Sequence, residues 1–139
     1  MYDFGWDPQL DTGIECLDTG QRRLFTLINR VYQAACLHRR QEVESTLREL
    51  IHEIRSHLCF EEGLLEVAKY PGLASHKDAH SQLLARLERY FEIFLNGGEI
   101  SLALIVNLRM WLTGHIRQDD DYAPYLLRQL TPTAPGKSG

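Results

Sequence analysis

The segment Ser56–His80, SHLCFEEGLLEVAKYPGLASHKDAH, carries His57 and Glu61, then Tyr70-Pro71-Gly72, then His76 and His80. Proline cannot continue a helix and glycine readily ends one. The segment therefore reads as the end of one helix, a short connection and the start of the next. Residues four apart on a helix differ by only about 40° around its axis, so His57 and Glu61 share one face of the first helix, and His76 and His80 share one face of the second. The neighbouring apolar residues mark both faces as inward. Val43, Leu47, Leu50, Ile54 and Leu64 or Leu65 fall on the stripe of His57 and Glu61. Leu83 or Leu84, Leu87, Phe91 and Phe94 fall on that of His76 and His80.

The pattern continues on both sides. Gln21, Leu24, Phe25, Ile28, Tyr32 and Ala35 recur at helical spacing and predict a helix over 19–37, with Asp18 as its N-cap. The Asn96-Gly97-Gly98 run ends the third helix. Leu104, Leu108, Trp111, Leu112 and His115 form the inward stripe of a fourth, from Ile100 to about Gln118. A short C-terminal helix is expected around Tyr122–Leu130. Residues 1–17, with Gly5, Pro8 and Gly13 and no helical period, read as an N-terminal arm that Trp6 packs onto the body. Amphipathic helices of similar length joined by short loops make an all-α, up-down-up-down four-helix bundle. One domain is expected over 1–131, and TPTAPGKSG supplies a disordered tail or linker over 132–139.

Composition bounds the function. The chain has 139 residues, 24% charged and 44% hydrophobic, with a net charge of −4. Its Lys and Arg residues are scattered rather than striped, which argues against a nucleic-acid partner. The most apolar run, SLALIVNLRMWL, is interrupted by Asn107 and Arg109 too early to span a bilayer. Cys16, Cys36 and Cys59 form no even disulfide framework, and MYDFGWDPQL lacks the regions of a signal peptide, so a cytoplasmic setting is expected. Cys59, two residues past His57, points away from the interior.

Burying His57, Glu61, His76, His80 and His115 together would be costly unless their charges and lone pairs were satisfied. A metal satisfies them: neutral imidazoles donate, and carboxylates both ligate and neutralise. Imidazole and carboxylate donors in a bundle core suit iron, and the two oxygens of a carboxylate can bridge two ions. Asp119 and Asp120, just beyond His115, offer further carboxylates. His38, at a helix end, and His52, off the stripe, are read as ordinary surface or core residues.

These residues resemble the hemerythrin family in its bacterial form, over nearly the whole chain. The matching segments are GWDPQLDTGIECLDTGQRRLFTLIN, HLCFEE, YPGLASHKDAH and WLTGHIRQDDDYAPYL. The resemblance implies a non-haem di-iron site that binds dioxygen, oxo- or hydroxo-bridged when oxidised and open to small anions. It implies that His76, His80 and His115 hold one iron and His57 the other, with Glu61 bridging. It also implies a bridging aspartate: the family's five-residue step from the last histidine selects Asp120, whereas the closeness of the downstream YAPYL favours Asp119. One departure stands out. Where the family places a helix-A histidine, LDTGQRRLF places Gln21, a weak or lost ligand position.

A site missing one imidazole is expected to oxidise readily in air. That suits an oxygen or redox sensor acting on a C-terminal signalling output, such as a diguanylate cyclase making cyclic di-GMP. The alternatives are an oxygen carrier or store and a structural bundle with a vestigial site. No substrate pocket is legible, so the chain is not read as an enzyme.

Overall fold

The computed structural model describes residues 11–130, without the side chains of 116–121 and 130. The expectations for Trp6, for most of the N-terminal arm and for the 132–139 tail lie outside the described residues. Four helices follow one another: α1 (Glu15–Cys36), α2 (Arg40–Val67), α3 (Leu73–Leu95) and α4 (Leu102–Leu130). The connections are short, so neighbours in sequence run antiparallel, which gives the expected four-helix bundle. No described helix is long and apolar enough to cross a membrane.

Two boundaries differ from the sequence reading. The start of α1 lies at Glu15, inside the expected arm, and Asp18 is not its N-cap. Asp18 is 4% exposed and points back along the chain. Its carboxylate accepts from the Thr12 N–H at 2.9 Å, the Thr12 hydroxyl at 2.8 Å and the Gly13 N–H at 3.2 Å. It thus holds the incoming segment rather than the free amides of its own helix. At the other end, the helical residues expected around Tyr122–Leu130 are the last turns of α4 itself. Pro124 lies inside that helix. It has no N–H to donate, so the carbonyl of residue 120 loses its usual ladder partner there.

The first three helices end on left-handed residues. His38 has φ 54° and Lys69 φ 56°, while Gly97 has φ 97°. In each case the next amide reaches back five residues: Arg39 to Ala34, Tyr70 to Leu65 and Gly98 to Ile93. This closes the orphan carbonyls of the last turn. Only at Gly97 does glycine meet this demand without steric cost.

The core is divided. A large apolar cluster includes Leu24 and Ile28 of α1, Ile54 and Leu58 of α2, Leu83 of α3 and Leu112 of α4. A smaller one, at the opposite end, contains Ile14, Leu17, Leu65, Ala68, Tyr122 and Leu126. Between Leu17 and Leu24 lies Gln21. Between Leu58 and Leu65 lies Glu61, with His57 one residue before Leu58; His76 and His80 precede Leu83, and His115 follows Leu112. Each helix therefore contributes to one polar layer sandwiched between two apolar ones.

Candidate metal centre

Helix periodicity places the polar layer, and burial makes it chemical. Glu61 is fully buried, and His57, His80 and His115 are each less than 10% exposed. The side chain of His76 is 15% exposed and closes the layer toward solvent. All four imidazoles turn their Nε2 atoms to the Glu61 carboxylate. His76 lies 2.6 Å and His80 3.3 Å from Oε1; His115 lies 3.4 Å and His57 3.7 Å from Oε2. The ligand atoms of Glu61, His76, His80 and His115 all lie within 4.8 Å of one another. Donors bound at about 2.1 Å stand at most ~4.2 Å apart across a common ion, so this set needs little closing to hold one.

The rings are held by their surroundings. Trp111 stacks on His115, with centroids 5.2 Å apart and planes at 14°. Tyr122 presents its edge relationship to His76 at 5.2 Å and 87°. The Nδ1 of His80 faces the Glu62 carboxylate at 3.7 Å, on the side away from Glu61. Such an outer carboxylate fixes which ring nitrogen is free to ligate.

The electrostatics favour the protonation states that metal binding requires. Burial pushes the His57 imidazole below its ordinary value of 6.5, and His115 and His80 add to this against the opposing pull of Glu61 and Glu53. His57 is thereby kept neutral with a lone pair to donate. Burial by itself would raise the Glu61 carboxyl. Hydrogen bonding from His115 and His76, with His80 adding to it, outweighs burial and holds Glu61 well below the ordinary carboxylate range. An ionised carboxylate thus sits among imidazoles. The Nε2 of His57 and the Nδ1 of His80 are buried and stand 3.7 Å from the carboxylates they face, beyond hydrogen-bond reach. Buried imidazole nitrogens gathered around a buried anion form a donor set that a cation would satisfy.

Each sequence-predicted residue can now be placed. His57, His76, His80 and His115 all approach the Glu61 carboxylate. Gln21 is fully buried on α1 in the same layer. The side chains of Asp119 and Asp120 lie outside the described residues, although α4 carries their backbone through the region. His38 and His52 are exposed and away from the centre, and Cys59 is exposed. Three contributors were not foreseen. Glu62 was legible as the neighbour of Glu61. Tyr122 belonged to what looked like a separate helix. Gly20, whose Cα lies against the His57 ring, carried the signal of a glycine within a predicted helix.

Residues 12–126 match the sequence family described as Hemerythrin HHE cation binding domain. A protein of Stenotrophomonas maltophilia named bacteriohemerythrin is 36% identical over 115 residues, 83% of this chain and 75% of its own length. A bacteriohemerythrin of Pseudomonas aeruginosa is 32% identical over the same shares of the two chains. The crystal structure of a wild-type hemerythrin superposes with a TM-score of 0.83 at 26% identity, covering 87% of this chain and 95% of that one.

Proposed function

Because the chain belongs to the hemerythrin family, a family of metal-binding, oxygen-binding bundles, we propose that it is a non-haem di-iron oxygen and redox sensor. In this reading His76, His80 and His115 hold one iron and His57 the other. Glu61 would serve both positions, and Asp120, or Asp119 in its place, would supply the second shared carboxylate. Gln21 stands where a further imidazole would complete the second position. The observation that carries the proposal is the composition of the polar layer: four imidazoles face one carboxylate, and α1 contributes a buried amide. Iron bound there would supply dioxygen binding and a ferrous–ferric couple.

The protein's own groups set the behaviour of that couple. The two apolar clusters close the layer at both ends, limiting water and proton access. The neutral His57 and the ionised Glu61 offer donors without prior deprotonation. Gln21 is the weak point, because an amide oxygen is a poorer donor than imidazole nitrogen. A donor set with fewer neutral nitrogens and more anionic or aqua ligands favours the ferric state. Such a site oxidises promptly and serves sensing better than carriage.

A sensor must also bias a two-state element. Helix α4 suits this role. It bears His115 and both candidate aspartates, and it loses a ladder hydrogen bond at Pro124 before leading toward the C-terminus. A signalling output such as a diguanylate cyclase is the partner class this arrangement fits.

Rapid mixing of the anaerobic, reduced, iron-loaded protein with air-saturated buffer tests the reading. Prompt conversion to the oxidised spectrum supports a sensor. A spectrum that persists and reverses on deoxygenation supports a carrier or store, the role that the apolar enclosure of the layer would also suit. Iron well below one per chain after anaerobic reconstitution would leave only a structural bundle.

A further inference from the structure

Gly20 lies inside α1, one residue before Gln21. Glycine is among the poorest residues in a helix interior, so its presence calls for a local reason. A Cβ added at Gly20 would stand 2.6 Å from His57 Nδ1 and 3.1 Å from His57 Cε1. The imidazole therefore occupies the volume that any other side chain would claim. Gly63 and Gly114, also helical, meet nothing within 4 Å, so this demand is particular to Gly20. His57 is fixed from two directions: its Nδ1 edge lies against the α1 backbone and its Nε2 faces Glu61 Oε2 at 3.7 Å.

We propose that Gly20 is the positioning residue of His57: the missing side chain on α1 admits the imidazole and lets its Nε2 face the Glu61 carboxylate. The consequence for metal loading rests on the di-iron reading above. α1 then shapes the second metal position twice, by what Gly20 leaves out and by what Gln21 puts in. An alanine at residue 20 displaces the ring, which carries Nε2 off its line to Glu61. The three atoms nearest that Cβ all belong to His57, so the set formed by Glu61, His76, His80 and His115 is left in place. A purely structural role predicts the opposite sign for stability, since alanine is the better helix former.

The test uses the full chain with Gly20→Ala, His57→Ala and the pair. In the apoprotein, urea unfolding of the double-mutant cycle should show coupling: Gly20→Ala stabilises the His57→Ala background but not the wild type. With iron(II) added anaerobically, Gly20→Ala should bind the second equivalent roughly 10- to 100-fold more weakly, the range for loss of an orienting partner. Binding of the first equivalent should be unchanged. If Gly20→Ala alone does not fold, folding restored by the added His57→Ala supports the proposal, and folding not restored overturns it. An additive cycle with both equivalents bound as in wild type overturns it as well. Failure of the wild type to take up iron would sink the di-iron reading, while the apoprotein cycle still decides whether Gly20 positions His57.

Discussion

The imidazole of His76 and the carboxylate of Glu61 meet at 2.6 Å, joining α3 to α2 across the polar layer. It is closer than the Glu61 approaches of His80, His115 and His57. His76 is also the most exposed of the four, so the tightest contact lies on the side nearest solvent. The most distant, His57, lies on the side that α1 under-supplies with imidazole. The layer is therefore asymmetric, and the following outcomes are expected from that asymmetry.

Gln21→His adds an imidazole to the weakly supplied side. Oxidation of the reduced, iron-loaded protein in air should slow on the order of tenfold, the effect of about 1.4 kcal/mol on a barrier. The decay rate of the reduced form in stopped-flow mixing measures this. An unchanged rate would contradict the proposed link between Gln21 and fast oxidation.

His80→Ala and Glu62→Gln separate a donor from its support. In the proposed di-iron reading, loss of the buried His80 imidazole should empty the position assigned to His76, His80 and His115. Glu62→Gln removes only the carboxylate facing His80 Nδ1 and should weaken iron binding by roughly 10- to 100-fold. Anaerobic iron titration of both variants checks the ranking. Equal effects would mean that Glu62 does more than orient the ring.

Acidification should destabilise the apoprotein. The folded pKa of His57 is depressed, so between that value and 6.5 the unfolded chain binds a proton that the folded chain does not. Stability contributed by neutral His57 is full above 6.5 and is lost as pH falls toward the folded value. Glu61, held well below 4.5, acts in the same direction: its contribution is present above 4.5 and is lost as pH falls toward its own folded value. Urea midpoints of metal-free protein should drop in two stages on acidification. A midpoint that stays flat or rises below 6.5 would contradict the His57 assignment.

Tyr125→Phe probes the junction between α2 and α4. The Tyr125 hydroxyl lies 2.7 Å from the Ala68 carbonyl and 3.0 Å from that of Lys69, at the end of α2. Removing it should cost about 1 kcal/mol of stability, the net worth of a typical hydrogen bond. Chemical denaturation would show the loss, and iron content should be unaffected because the hydroxyl is outside the polar layer.

The sequence by itself determined which residues share a helical face. The four-residue steps from His57 to Glu61 and from His76 to His80 are local, and helix geometry converts them to shared directions whatever the rest of the chain does. The Tyr70-Pro71-Gly72 and Asn96-Gly97-Gly98 breaks are local for the same reason, so the bundle was legible before any contact was known. Tertiary structure decided what the packing of separate helices controls. It chose which Glu61 oxygen each imidazole faces, laid His57 against Gly20, and turned Asp18 back to Thr12 and Gly13. It also carried α4 through Pro124 in one helix, because Tyr122 and Leu126 bury against α1 and α2 and offset the lost ladder bond. Distances between helices depend on how many side chains fill the space between them, and no single stretch of chain encodes that.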